Sequence, residues 1–434
     1  MAVIRFDEAT VEATRVLQSF SAKPDLQKIV AVRDLSGVFR FVIDGSEVIR
    51  RALEAELTQR EQQFGAWLPS GTTVGQTQYG RVLTRGELYD PQQVLDTKDL
   101  IPVAARAFLL DRRVVAADWR RGPLPNLAPT PPRATFYALK GGAGRSTALV
   151  YWVRHLAHTK KKRVLVVDLD LESPGISASL LPGIRPRFGV VDWYVEDAVR
   201  QADPDLLAEM TAESPIAAGA EGSVVVAPVA GDLSRDYLTK LARVYAAPPG
   251  SGDAGAFGER TARLIDDLER AVNPDVTVID SRAGLHDVGA VSVVRLGATS
   301  FLFATDTREN WLGYTYMFAA WRRQPEVLGA FREDLQIVAS LVPEVGGPQY
   351  TERLRDQAHR LFADWIYDNQ TGVGGDINYG VDDSAGPHYP VGIRWNRRFF
   401  AHEPGAATVD EAFEADIRAN FGAFFDRADE LVLP

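Results

Sequence analysis

Phe136-Tyr137-Ala138-Leu139-Lys140-Gly141-Gly142-Ala143-Gly144-Arg145-Ser146-Thr147 runs from an apolar, aromatic stretch through three clustered glycines into a helix-forming segment. Glycines let backbone N–H groups turn inward without Cβ interference, and the N-terminus of a following helix adds positive potential. A strand, a glycine-rich turn and a helix in that order therefore form a cradle for phosphate. The helix side of the corner is credible on its own, because Leu149, Trp152, Val153 and Leu156 recur at helical spacing.

Set beside the GxxxxGK[ST] phosphate-loop pattern, two positions differ: Leu139 stands where the first glycine would be, and Arg145 where the lysine would be. Working outward, Val164-Leu165-Val166-Val167-Asp168-Leu169-Asp170 is an apolar strand ending in two aspartates, followed by Glu172-Ser173-Pro174-Gly175. Alternation along an extended chain puts both carboxylates on one side. Val276-Thr277-Val278-Ile279-Asp280 is a second such strand, ending in one aspartate before Ser281-Arg282-Ala283-Gly284. In an open parallel sheet the carboxyl ends of the strands border the ligand crevice. A rigid acid there suits a Mg²⁺ ion, held directly or through water.

Further β-branched runs at Ser223–Val229, Ser300–Ala304 and Leu335–Leu341 alternate with helical segments at Arg260–Val272, Trp311–Gln324 and Thr351–Tyr367. Near-continuous apolar strands separated by helices predict an α/β fold with a mostly parallel sheet flanked by helices. Gly122–Arg133, with five prolines, predicts an extended linker. Before it, helices over 8–20 and 47–63 and a pair of strands around Leu35-Ser36-Gly37 predict a small α+β N-terminal domain. The expected organisation is an accessory domain at 1–121, a linker at 122–133 and a nucleotide domain at 134–434. Pro248–Gly258 and Gln370–Pro390, the latter rich in Gly and Asp, are read as mobile loops or insertions.

The segments KGGAGRST, VLVVDLDLESPG and VTVIDSRAGL together resemble the deviant Walker A P-loop ATPases of the ParA and MinD kind, closest to a subgroup reading KGG-x-GR. The resemblance covers roughly residues 134–345. It implies ATP and Mg²⁺ as ligands, with Lys140, Gly141, Gly142, Ala143, Gly144, Arg145, Ser146 and Thr147 about the phosphates. Lys140 would reach across an ATP-dependent homodimer. Ser146, Asp168 and Asp280 would serve the metal. Asp168 and Asp170 would serve the attacking water, with Asp170 the one that positions it, so Lys140, Asp168 and Asp170 are the implied catalytic set. The base would sit near Val342-Pro343-Glu344. A guanidinium at 145 keeps the charge but is planar and larger than an ammonium, which implies retained binding and slow hydrolysis. The resemblance also implies a bacterial defence setting. Two other functions are carried beside the switch: a nucleotide-gated scaffold without turnover, and a DNA-partitioning ATPase.

Composition narrows the alternatives. The 434 residues contain no cysteine, which excludes disulfides, thiolate metal sites and thiol nucleophiles. A formal net charge of −10 disfavours non-specific nucleic-acid or anionic-lipid binding. The N-terminus lacks the layout of a signal peptide and no apolar run suffices to span a bilayer, so a cytoplasmic protein is expected. The basic groups Asp111-Arg112-Arg113, Trp119-Arg120-Arg121, Lys160–Arg163 and Arg394–Arg398 read as solvated surface, with Trp119 tucked into the accessory domain. The six histidines show no metal-ligand pattern, and His155 and His158 have no acid nearby in sequence. Asp410–Leu433 reads as an acidic amphipathic helix packed on the nucleotide domain, not on a membrane. A protein partner is expected for residues 1–121.

Overall fold

The computed structural model describes residues 4–69, 80–97, 99–113, 118–124, 131–173, 175–247, 256–368, 377–401 and 410–433. The chain divides into two compact units, Met1–Val115 and Ala116–Pro434.

In the first unit, α1 (Phe6–Phe20) and α2 (Glu47–Gln59) accompany five strands: β1 (Leu26–Arg33), β2 (Phe39–Gly45), β3 (Val82–Thr84), β4 (Ile101–Ala104) and β5 (Ala107–Asp111). The sheet order is β3-β2-β1-β5-β4, with β1–β2 and β4–β5 antiparallel and the other pairs parallel. Asp34 shapes the β1–β2 turn, its Oδ1 accepting from Ser36 N at 2.9 Å and Val38 N at 3.0 Å. Leu17, Ile29, Phe41, Leu53 and Phe64 form the buried core. The helix expected over 47–63 stops at Gln59 and resumes as a single turn, Glu61–Phe64. Arg60 at the break takes φ −97°, ψ 8°, and pairs with both Glu56 and the buried Glu12 of α1. A tertiary ion pair here overrides helix propensity.

The second unit is built on eight strands: β6 (Arg133–Ala138), β7 (Arg163–Asp168), β8 (Ala212–Glu213), β9 (Ser223–Ala227), β10 (Val276–Asp280), β11 (Thr299–Ala304), β12 (Leu335–Val342) and β13 (Val391–Arg394). Their order is β13-β12-β11-β6-β10-β7-β9-β8, and every pairing is parallel except β8–β9. The longer helices of this unit include α3 (Arg145–His158), α4 (Phe257–Val272), α5 (Arg308–Arg322), α6 (Gly347–Trp365) and α7 (Glu411–Val432). All six residues of β6 are buried, which explains why the strand reads as a continuous apolar run. Alternation sends Phe136 to one face, against Trp152 of α3, Phe301 and Phe424 of α7. Tyr137 goes to the other, sharing a core with residues of α5 and α6.

α7 packs as expected, and it supplies what the sequence did not show. Asp429 Oδ2 lies 2.9 Å from His155 Nε2, while Asp429 Oδ1 accepts from Trp152 Nε1 at 3.0 Å. His155 thus has a supporting acid, brought from far along the chain. Trp119 is also placed differently from expectation: it is buried in the second unit, 5.9 Å from both Tyr137 and Trp321 between ring centroids. Of the proline-rich segment, residues 125–130 lie outside the described residues, and Arg133 already begins β6. Of the two expected mobile loops, 248–255 and 370–376 lie outside them as well, and Phe257–Gly258 begin α4. Residues 377–390 are fastened to the core. Ile337 N donates to Pro387 O at 2.9 Å, Gln336 Nε2 to Tyr389 O at 2.8 Å, and His388 is fully buried. Among the described residues no helix is long and apolar enough to cross a membrane.

Candidate functional site

β6 ends at Ala138 and α3 begins at Arg145, so residues 139–144 turn the corner at the carboxyl edge of the sheet. Gly142 (φ +79°) and Gly144 (φ +72°) take the left-handed backbone that the turn needs. A Cβ built on Gly141 or Gly142 meets nothing within 4 Å, so the loop opens onto free space. Leu139 turns its side chain away from that space, its Cδ1 only 2.9 Å from where a Cβ on Gly313 of α5 would lie. The leucine is therefore accommodated by a glycine opposite, not by the loop. Ala143 is half-buried against the α3–α7 core. Ser146 and Thr147 occupy the first turn of α3, and Lys140 is exposed with no ion-pair partner among the described residues.

Two strand ends bring the acids together. β7 and β10 are neighbours, and their register sets Asp168 directly beside Asp280, both essentially without solvent exposure. Asp170 follows two residues on, also buried, and its N–H donates to Asp168 Oδ1 at 3.1 Å. Ser177 holds the other Asp168 oxygen through its hydroxyl, at 2.5 Å. Burial, and then the charge of Asp280, push Asp168 up to about 8. Burial raises Asp280 too, to about 6, with the Asp170 charge adding to it, while the charge of Arg145 and the Ser146 hydroxyl hold it down. Carboxylates perturbed by burial and by one another cluster at functional sites.

Arg145 supplies one cation. Its guanidinium is buried and turned from the loop toward the acids: Nη2 donates to Asp170 Oδ2 at 3.0 Å, Nε lies 2.9 Å from Asp280 Oδ1, and Nη1 donates to the Ser281 carbonyl. Burial lowers the pKa of Arg145, but the Asp280, Asp170 and Asp168 carboxylates more than reverse this and raise it. Asp170 Oδ1 and the Ser281 hydroxyl have no hydrogen-bond partner among the described residues, and Asp280 Oδ1 has only its close ion pair with Arg145. Buried acceptors left over in this way have spare capacity for a ligand.

Three neighbours had no signal in the sequence. Two are Ser177, which donates to Asp168, and the Ser281 carbonyl, which accepts from Arg145; ordinary serines carry no motif. The third is Glu172, which ties the loop after β7 to the loop after β10 by pairing with Arg282, and accepts from the Tyr245 hydroxyl. A glutamate–arginine spacing across two loops becomes visible only once the strands are paired.

Pro343 lies apart from the acids, on a cleft of about 750 Å³ that Glu344, Thr351, Arg355 and Arg394 also line. Leu341, at φ +54°, connects it to the glycine-rich corner: its Cδ2 lies 3.4 Å from a Cβ placed on Gly144. A branched, non-glycine residue in that backbone region is uncommon.

Among the described residues no three His, Asp or Glu side chains converge on a metal-sized point. Mg²⁺ bound with a nucleotide needs fewer, since phosphates and waters fill most of its octahedron. The open cradle, the serine at the helix start and the unsatisfied acid oxygens fit such a group.

No protein-family profile matches the chain, and no curated protein matches it. Among solved structures, a Cyanothece McdA–ATP complex is 14% identical, covering 69% of this chain and 95% of its own with a TM-score of 0.43. The septum site-determining protein MinD of Pyrococcus horikoshii, complexed with Mg-ADP, is also 14% identical, covering 69% and 96% with a TM-score of 0.42. The pNOB8 ParA structure is 16% identical over 70% and 97%, with a TM-score of 0.41.

Proposed function

We propose that the 139–147 corner binds the phosphates of ATP with Mg²⁺, and that the chain is a ParA/MinD-like switch whose ATP-bound form dimerises. The supporting observation is the open space over Gly141 and Gly142, together with three buried acids at or just past the carboxyl ends of two adjoining strands. Backbone N–H groups of Gly141, Gly142, Ala143 and Gly144, with the start of α3, would grip the phosphates. Ser146 and Thr147 add hydroxyls, and Pro343 borders the base. Ser146, Asp168 and Asp280 would hold Mg²⁺, which supplies neutralisation of phosphate charge. Asp170 would orient the attacking water, assisted by Asp168. Lys140, exposed and unpaired, suits action on a second copy. Residues 1–121 would recruit a protein partner, and a cytoplasmic antiphage-defence setting is carried over from the resemblance alone. Nucleic acid is disfavoured by the net charge of −10.

A second reading, the nucleotide-gated scaffold, is favoured by one contact: Arg145 pairs with the very aspartate assigned to the water. Losing well-placed electrostatic stabilisation costs roughly 10²–10³ in rate, so hydrolysis is expected to be slow.

Calorimetry with millimolar Mg·ATP and Mg·GTP tests binding, and absence of heat with both would end the proposal. Sedimentation with ATP should show dimers for the wild type and monomers for Lys140→Ala. Single-turnover phosphate release should fall about 10²-fold in Asp170→Ala; no release from the wild type would favour the scaffold.

A further inference from the structure

Arg145 rises from the first residue of α3, and a side chain there has two anions within its reach. One is the phosphate that the loop is shaped to hold. The other is the group of carboxylates at the ends of β7 and β10. In the structure the guanidinium lies on the second. It bridges Asp170 and Asp280 and is capped by the Ser281 carbonyl, with under a tenth of the residue exposed. Asp280 ends β10, while Asp170 and Ser281 lie just beyond the ends of β7 and β10, so the guanidinium stands among the acids at the carboxyl edge of the sheet.

The energetics favour this arrangement whenever nothing else is bound. Three buried carboxylates crowd one another, and a buried charge without a partner is far more costly than a paired one. A guanidinium is weakly hydrated for a cation and offers a planar fork that matches carboxylates, so it enters such a site more readily than a hydrated divalent ion. Mg²⁺ gives up its waters reluctantly and depends on phosphate oxygens to complete its shell.

We propose that Arg145 is a built-in counter-ion that competes with the divalent metal for Asp280 while also holding the neighbouring Asp170, so that the site accepts metal only when a polyphosphate draws the guanidinium back to the loop. This rests on the reading of Asp280 as a metal carboxylate. Its consequence is an obligatory order: free Mg²⁺ does not load the empty site, and metal and nucleotide arrive together. A lysine in the same place is shorter and a point charge, and would yield the acids more easily.

Mn²⁺ provides the probe, since its binding can be followed by paramagnetic resonance without any turnover. Nucleotide-free wild type should bind Mn²⁺ at least about tenfold more weakly than Arg145→Gln, with Arg145→Lys between them. Arg145→Lys keeps a positive charge and therefore guards against the possibility that the neutral variant fails to fold. Adding a non-hydrolysable ATP analogue should tighten Mn²⁺ binding to the wild type by more than it does for either variant. Equal Mn²⁺ affinity in the wild type and Arg145→Lys, in the absence of nucleotide, overturns the counter-ion role. If Mg·ATP binds the wild type while Mn²⁺ affinities are equal, only this inference falls. If neither Mg·ATP nor Mn²⁺ binds any of the three proteins, the nucleotide reading falls with it.

Discussion

Gly141 and Gly142 both face open space, but only Gly142 has a positive φ. An alanine at 142 would strain the backbone by about 1–2 kcal/mol as well as intrude on the cradle, so its effects on folding and binding would be mixed. Gly141→Ala separates them. Its methyl group meets no protein atom, so thermal stability should stay close to that of the wild type. Affinity for Mg·ATP should fall at least about tenfold, or about 1.4 kcal/mol. Calorimetry and thermal melts on one preparation check both halves, and unchanged affinity would place the phosphates elsewhere. At this scale the sequence was informative about which residue types gather and silent about their pairing. That a cation stands at 145 is plain from KGGAGRST. Which anion it holds depends on Asp170 and Asp280, delivered by separate strands, and no local pattern encodes that choice.

The helices and strands of the second unit follow the apolar periodicity closely, because each buried strand must be apolar on both faces and each helix on one. Boundaries moved where a tertiary contact intervened, as at Arg60, or where irregular chain was held by buried hydrogen bonds, as around His388. The junction of α3 with α7 offers a test at the level of elements. Burial alone would raise the Asp429 pKa, but hydrogen bonds from His155 and Trp152, together with Lys160, hold it below its ordinary value of 3.8. A carboxylate depressed in the folded state contributes stability above the unfolded pKa, and that contribution is lost as pH falls through the folded value. Asp429→Asn should therefore be less stable than the wild type at pH 7 by about 1.5–3 kcal/mol, the range for hydrogen bonds to charged groups. The gap should narrow as pH drops below about 3.8, the Asp value. Urea midpoints at several pH values measure it. A gap that ignores pH would mean that shape, and not the carboxylate's charge, joins the two helices.

Each unit of the whole molecule has its own buried core and its own sheet. The corner, the acids and the cleft beside Pro343 all belong to the second. A chain comprising residues 116–434 should accordingly bind Mg·ATP within about threefold of the full-length affinity by calorimetry. A loss beyond tenfold would mean that residues 1–115 contribute to the site. The prolines of 122–133 predict a break there, whereas the two compact units divide between Val115 and Ala116, and the destination of Trp119 was not legible, since a tryptophan beside two arginines fits either neighbour. Only the ring contacts with Tyr137 and Trp321 assign it.

Phe424 of α7 covers Phe136 of β6, so the founding strand of the sheet is roofed by one of the farthest segments along the chain. During synthesis, the aromatic face of that strand must wait for its roof while nearly all of the intervening polypeptide is made. Until then it is a sticky surface of the kind that holdase chaperones shield. A ribosome that stalls before α7 would release a chain with its glycine-rich corner complete in sequence yet prone to clump.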